Sequence, residues 1–215
     1  MSKFKLILFD MDGTLLKERS IFIFAQKKDF MDDLKKLIYD SDKEFYQKSI
    51  EIAKSLKGMD SKELLEIFRE IPLNKHVQQV IHEIKKKDIK TAIVTDSYQF
   101  LADDLKDRLA IDYAFANNLI LDEGIVTGEL IIHNKELKRE FIGNKIYSIC
   151  KSCVLKQLCE QFNISTDEVM AVGDGKVDIC MIKKAGLGIA FNAPEEVQKH
   201  ADISIDDMSM ILNYI

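Results

Sequence analysis

Two aspartates separated by one residue, Asp10 and Asp12, follow a short apolar run from Phe4 to Phe9. Far along the chain a second acidic turn, Gly173-Asp174-Gly175 with Asp178 after it, closes the run Val169 to Val172. A third polar cluster, Thr95-Asp96-Ser97, follows Thr91 to Val94. Carboxylates are seldom buried unpaired, so packing does not account for both members of Asp-x-Asp. Taken alone, that pair equally suits a helix-capping turn with Asp12 or Thr14 as the cap. The second acidic turn shifts the balance. If the strands are neighbours, Asp10, Asp12, Asp174 and Asp178 converge. Four carboxylates in one place repel unless a cation sits among them. Oxygen ligands without His or Cys favour a hard ion, and magnesium suits best.

These turns need elements to hold them. Lys5 to Phe9 is apolar on both faces, as a central parallel strand is. Thr91–Val94, Tyr113–Phe115, Val169–Val172, Gly188–Ala190 and Ile203–Ile205 predict further short strands. Leu119–Leu121 and Ile125–Thr127, around Asp-Glu-Gly, predict a β-hairpin. Residues 18–88 hold almost no Gly or Pro and read as helical. Leu34, Leu37 and Ile38 repeat at helical spacing, as do Ile50, Ala53 and Leu56. Asp60 or Ser61 caps a helix carrying Leu64, Leu65 and Phe68, and Pro72 breaks it. Further helices span about Lys75–Lys87, a segment with Tyr98, Leu101, Leu105 and Leu109, and about Ser152–Phe162. Residues 133–150 show no clear pattern.

Strands alternating with helices predict an α/β fold, a doubly wound parallel sheet covered on both faces. The helical stretch after the first strand has no strand to wrap. It reads as an inserted helical cap over 17–75, leaving 1–16 and 76–215 as the core. Ligands bind such sheets at the carboxyl ends of the strands, where all three polar turns fall.

Composition narrows the function. The chain has 215 residues and is 47% hydrophobic, enough for a sizeable core with a small second lobe. A net charge of −5 gives no electrostatic reason to bind nucleic acid or an anionic membrane. Met1-Ser-Lys leads straight into the first strand, which predicts no secretory leader, no membrane span and a cytoplasmic location. In that setting Cys150, Cys153, Cys159 and Cys180 are expected to be reduced thiols. Cys150 and Cys153 have CxxC spacing, but no second pair completes a zinc site, and they read as small packed side chains. The four His residues lie far from the motifs and are assigned no catalysis. Met208, Met210 and Leu212 read as core or edge packing.

Phe9-Asp10-Met11-Asp12-Gly13-Thr14-Leu15 resembles the first motif of the haloacid dehalogenase superfamily. Ile93-Val94-Thr95 resembles its second, Lys151 at a helix start its third, and Val172-Gly173-Asp174-Gly175 with Asp178 its fourth. The order matches over most of the chain. The closest branch is the phosphoserine-phosphatase-like one, which Ala190-Phe191 and the Asn117–Glu129 hairpin also resemble. The resemblance implies a Rossmann-type core and a magnesium-dependent phosphatase acting on a small phosphate ester. It implies Asp10 as nucleophile, forming an aspartyl-phosphate, and Asp12 as general acid and base. Mg2+ would lie on Asp10, the main-chain carbonyl of Asp12 and Asp174. Thr95 and nearby N–H groups would hold phosphate oxygens. Lys151 would neutralise phosphoryl charge, and Asp178 would orient Lys151 or a metal-bound water.

The chain departs from that branch at three places. Val177 stands where the branch carries Asn beside the last aspartate. Arg19 stands where an acidic residue meets the substrate amine. Ile52 stands where a cap arginine meets the carboxylate. These departures argue against phosphoserine as the best substrate. Arg19, Asp96 and Ser97 become candidate contacts for a substrate with a second acidic group or a sugar-like phosphate. A phosphotransferase on the same chemistry and a non-catalytic protein of this fold are the alternatives.

Overall fold

A computed structural model describes residues 2–215. Seven strands form one sheet in the order β4-β3-β2-β1-β5-β6-β7. They are β1 (Leu6–Phe9), β2 (Lys90–Tyr98), β3 (Tyr113–Asp122), β4 (Ile125–Ile131), β5 (Val169–Gly173), β6 (Leu187–Phe191) and β7 (Ile203–Ile205). All pairings are parallel except β3 with β4. Strands with lower numbers run one way from β1 and later strands run the other. The strand order therefore reverses between β1 and β5, where open α/β sheets leave a crevice.

The sequence of β1 explains its central place. Leu6 and Leu8 join the core on one face, and Ile7 and Phe9 join the other. All four are fully buried, each contributing about 1.5–3 kcal/mol. One face packs against α5 (Val77–Lys86) and α6 (Gln99–Leu109). The other packs against α7 (Lys151–Phe162) and Met181 of α8 (Ile179–Lys184). A short α9 (Glu195–Gln198) precedes β7.

Between β1 and α5 the chain forms α1 (Ser20–Lys27), α2 (Met31–Lys35), a π-helical turn over Lys36–Asp40, α3 (Phe45–Ser55) and α4 (Ser61–Arg69). Asp60 caps α4, its carboxylate accepting from Lys62 N at 2.7 Å. Phe24, Leu64 and Phe68 run the core of this lobe into that of the sheet. The lobe is also tied to the hairpin by main-chain bonds. Gly58 N donates to Val126 O at 2.8 Å, Val126 N to Met59 O at 2.9 Å, and Ser61 N to Gly124 O at 2.9 Å.

Three expectations need correction. Tyr98 ends β2 rather than opening the next helix, because β2 runs on past Val94 to pair Tyr98 with Asn117. Tyr113–Phe115 and Leu119–Leu121 are one strand, β3. Its first half pairs with β2 and its second half with β4, so a single strand meets two partners. The hairpin turns on Glu123 and Gly124, both at positive φ, as a tight two-residue loop requires. Cys150 and Cys153 are not free thiols. Their Cα atoms come within 5.2 Å and the sulfurs are bonded. One turn of helix brings positions i and i+3 into disulfide range, whatever the compartment suggests. Cys159 and Cys180 are free and buried.

Residues 132–150 form no regular element. Polar side chains hold this segment instead. Buried Asn134 donates to Lys138 O at 2.9 Å and Tyr147 O at 3.0 Å. Met208 is buried and Met210 exposed. Among the described residues, no helix is long and apolar enough to cross a membrane.

Candidate active site

Asp10 leaves the end of β1 with its N–H bonded to Val172 O of β5 at 2.9 Å. That bond places it at the reversal of the sheet. Its carboxylate is 4% exposed, and Lys151 Nζ donates to its Oδ1 at 2.5 Å. Lys151 opens α7, with the favourable end of the helix dipole behind it. The same Nζ donates to Asp178 Oδ1 at 2.6 Å. Lys151 and Asp178 are both 0% exposed. The second oxygen of Asp178 accepts from Gly175 N at 2.9 Å.

Asp174 is half-buried and accepts from Thr14 Oγ1 at 3.2 Å. Oxygens of Asp10, Asp174 and Asp178 lie within 4.8 Å of one another. Gly13 has a φ of +90°, and a Cβ there would come within 2.5 Å of Asp174 Oδ2. Only glycine therefore lets the turn after Asp12 approach this carboxylate. Burial pushes Asp10 up to about 7, with Lys151 opposing the rise and Asp174 adding to it. Burial likewise raises Asp174 to about 6, with Asp178 adding to it. Lys151 is held charged: burial opposes its charge, but Asp10 and Asp178 outweigh it. Three carboxylates outnumber the Lys151 ammonium and the Arg19 guanidinium 4.0 Å from Asp174, and the net negative charge that is left favours a cation. Both oxygens of Asp178 are already engaged. Asp10 and Asp174 are the carboxylates left for an ion, and an all-oxygen set fits a hard one.

Asp12 points elsewhere. Its oxygens accept from Ser20 N at 2.9 Å and Ser20 Oγ at 3.0 Å, so it satisfies a free N–H at the start of α1. Burial pushes it up to about 6, against those two hydrogen bonds. Replacing Asp12 with Ala is expected to lower stability by about 1 kcal/mol through the lost cap, whereas Asn keeps most of it. Urea unfolding of the two variants checks this.

Thr95 is buried, and its Oγ1 accepts from Ser97 N at 3.2 Å. Ser97 Oγ lies 3.3 Å from Ser20 Oγ, which joins the strand end to the Asp12 cap. Asp96 is exposed, and its main-chain carbonyl accepts from Asn117 Nδ2 at 2.6 Å. Arg19 precedes α1, its Nη2 4.0 Å from Asp174 Oδ2 and its side chain 54% exposed. Val177 lies in the 3₁₀ turn Lys176–Asp178, and Ile52 lies half-buried in α3. The structure thus brings Asp10, Asp174, Asp178, Lys151 and Arg19 together, with Asp12, Ser97 and Thr95 linked beside them.

Sequence reasoning missed Ser20 and Asn74. Asn74 Nδ2 reaches the carbonyls of Gly13, Thr14 and Leu16 at 2.8–3.3 Å and fixes the turn after Asp12. Ser20 carried a usable signal, a hydroxyl residue at the start of a helical pattern.

Known proteins similar to this chain fall in one family. Residues 4–186 match the haloacid dehalogenase-like hydrolase family. The chain is 31% identical over 218 residues to a phosphoserine phosphatase of Methanocaldococcus jannaschii, covering 99% of this chain and 98% of that one. A phosphoserine phosphatase of Archaeoglobus fulgidus is 32% identical over 210 residues, 96% of this chain but 58% of its own length. The structure of a substrate-bound phosphoserine phosphatase complex matches with a TM-score of 0.85 at 30% identity, over 100% of both chains. The chain therefore belongs to the haloacid dehalogenase-like hydrolases, as a phosphatase of their phosphoserine-phosphatase-like branch.

Proposed function

We propose that this chain hydrolyses a small phosphate monoester through an aspartyl-phosphate on Asp10, with Mg2+ as its ion. The observation that carries this reading is the buried Lys151 bridging Asp10 and Asp178 at 2.5 and 2.6 Å. A charged lysine held between a buried carboxylate at a strand end and a second buried carboxylate suits phosphoryl transfer. It sits where charge gathers on the phosphoryl oxygens.

Asp10 attacks phosphorus with a carboxylate oxygen, and the ester P–O bond breaks. Asp12 gives its proton to the leaving alcohol, then takes one from the water that releases phosphate. Its rise to about 6 keeps both protonation states within reach near neutrality. Thr95 Oγ1 and the N–H groups after it receive phosphate oxygens. Asp178 fixes Lys151 through the 2.6 Å bond. Asp10, Asp174 and the carbonyl of Asp12 would hold the cation. When bound, Mg2+ would screen the repulsion between the Asp10 carboxylate and the phosphate.

The substrate is not phosphoserine on this reading. Arg19 presents a cation where an ammonium group would need an anion, and burial of its charge is outweighed by Asp96 and Asp174. Asp96 offers an exposed acceptor for hydroxyl groups. A phosphorylated sugar acid satisfies both residues. Replacing Arg19 with Ala is expected to raise KM for the best substrate about tenfold with little change in kcat, the pattern of lost ground-state binding. An unchanged KM would remove Arg19 from the substrate contacts.

The test of the whole reading is phosphate release from a panel of phosphorylated metabolites that includes phosphoserine and sugar acids. It is run with Mg2+ and with chelator. Release that needs the ion and favours anionic esters is expected. Release unaffected by chelator would overturn the role of the ion. Phosphoserine as best substrate would overturn the specificity.

A further inference from the structure

Cys150 and Cys153 flank Lys151, one residue before it and two after. They are bonded across the first turn of α7. Cys150 is buried and Cys153 is half-buried, so a small molecule meets Cys153 first. A disulfide stabilises chiefly by restraining the unfolded chain, and that restraint grows with the length of the loop it closes. A bridge with a sequence separation of 3 is therefore poorly explained as a structural staple. Its place is better explained by chemistry. Cys150 caps a twelve-residue helix, where the dipole favours a thiolate, and Ser152 Oγ lies 3.6 Å from its sulfur.

We propose that Cys150 and Cys153 form a thiol–disulfide exchange site, open to small thiols, whose oxidised form clamps the first turn of α7 and with it Lys151. An incoming thiolate attacks Cys153 Sγ. The S–S bond breaks and its electron pair passes to Cys150 Sγ, the sulfur placed to carry charge. A second small thiolate attacks the small-molecule sulfur of the mixed disulfide and releases Cys153. Two small thiols become one disulfide, and their protons pass to the two cysteines.

The turn is well placed to reach the active site. Lys151 holds Asp10 and Asp178 from inside it. Two residues before Cys150, Ser148 Oγ accepts from Asn117 Nδ2 at 2.9 Å and from Ser49 Oγ of α3 at 3.2 Å. Asn117 also holds the carbonyl of Asp96. Opening the bridge frees a turn that touches both Lys151 and this chain of bonds. The thiol chemistry stands by itself; its effect on turnover rests on the phosphatase reading.

The test equilibrates the purified chain with reduced and oxidised glutathione at varied ratios. The protein is alkylated in denaturant and weighed, and native samples of each form are compared by hydrogen exchange and phosphate release. A single transition between two and four free thiols is expected, abolished in Cys153→Ser. Amides at 150–154 are expected to exchange several-fold faster in the reduced form, with several-fold lower turnover. Cys153→Ser should match the reduced form at every ratio. Four free thiols throughout, or a bridge that survives reducing buffer, would overturn the site. Equal exchange and equal turnover in the two forms would overturn the clamp. If exchange differs but neither form releases phosphate, the clamp stands and the phosphatase reading fails.

Discussion

Replacing Lys151 with Met is expected to cut phosphate release by about 10³-fold and to lower stability by about 3 kcal/mol. The first effect is the loss of a fixed positive charge aimed at the phosphoryl group. The second follows from burial. Lys151 is 0% exposed and answers two carboxylates, Asp10 and Asp178, that are themselves hidden from water. Removing one partner of a buried pair costs roughly 3–5 kcal/mol, because the remaining charge is left without water or counter-ion. The low end is expected here. Burial has already pushed Asp10 up to about 7 and Asp178 to about 6, so protonation relieves part of the cost. For a chain of this length 3 kcal/mol lowers the thermal midpoint by about 6–12 °C. Thermal unfolding beside steady-state kinetics checks both parts. A variant that melts like the parent would contradict the buried ion pair.

Replacing Asp10 with Asn is expected to abolish turnover, by about 10⁴-fold or more, while leaving the protein slightly more stable. An amide cannot attack phosphorus, and loss of a nucleophile is among the largest single-residue effects on rate. Its carbonyl can still accept from Lys151. The variant also removes one charge from three carboxylates whose oxygens lie within 4.8 Å of one another. Relief of that repulsion is worth about 1 kcal/mol, the usual size of a stabilising active-site substitution. The two variants thus separate the partners of one ion pair. Both lose activity, but stability falls in one and rises in the other. A fall in both would make Asp10 mainly a structural partner of Lys151.

The parts of the site legible in the sequence were those with rare residue types at strand ends. Asp10, Asp12, Asp174 and Asp178 stand out because carboxylates beside apolar runs have few bland explanations. Lys151 does not stand out among 31 lysines and arginines, and only its likeness to a known motif singled it out. Its complete burial is a property of the fold, written in no local pattern. Asp12 showed that two readings of one residue need not compete. Its oxygens accept from Ser20 at the start of α1, although Arg19 is the N-cap of that helix, and Gly13 beside it approaches Asp174 of the acidic cluster.

Where strands and helices were misread, tertiary pairing overrode local preference. Ala116, Asn117 and Asn118 separate the two strands predicted at Tyr113–Phe115 and Leu119–Leu121, and Asn is a poor strand former. Pairing with β2 and then β4 carries β3 straight through them. Tyr98 fell on the helical period of Leu101, Leu105 and Leu109, yet its backbone belongs to β2. The cysteine pair was misjudged for a different reason. An argument from compartment was set above the local fact that i and i+3 meet across a helical turn. The segment 132–150 left no pattern because its order comes from single polar contacts, such as those of Asn134.

The main-chain bonds joining residues 58–61 to the hairpin at 124–126 bear on what can be a customer of this enzyme. A lid that swung clear of the sheet would have to tear that seam. It would also part the Phe45 and Tyr147 rings, whose centroids lie 4.7 Å apart at a tilt of 33°, and the Arg139–Glu44 contact at 3.1 Å. The seam thus ties the helical roof to the sheet, and an opening that spares it is a small one. On the proposed function, such an aperture would pass free metabolites and turn away phosphorylated side chains carried on folded proteins, so selection by bulk would precede selection by charge.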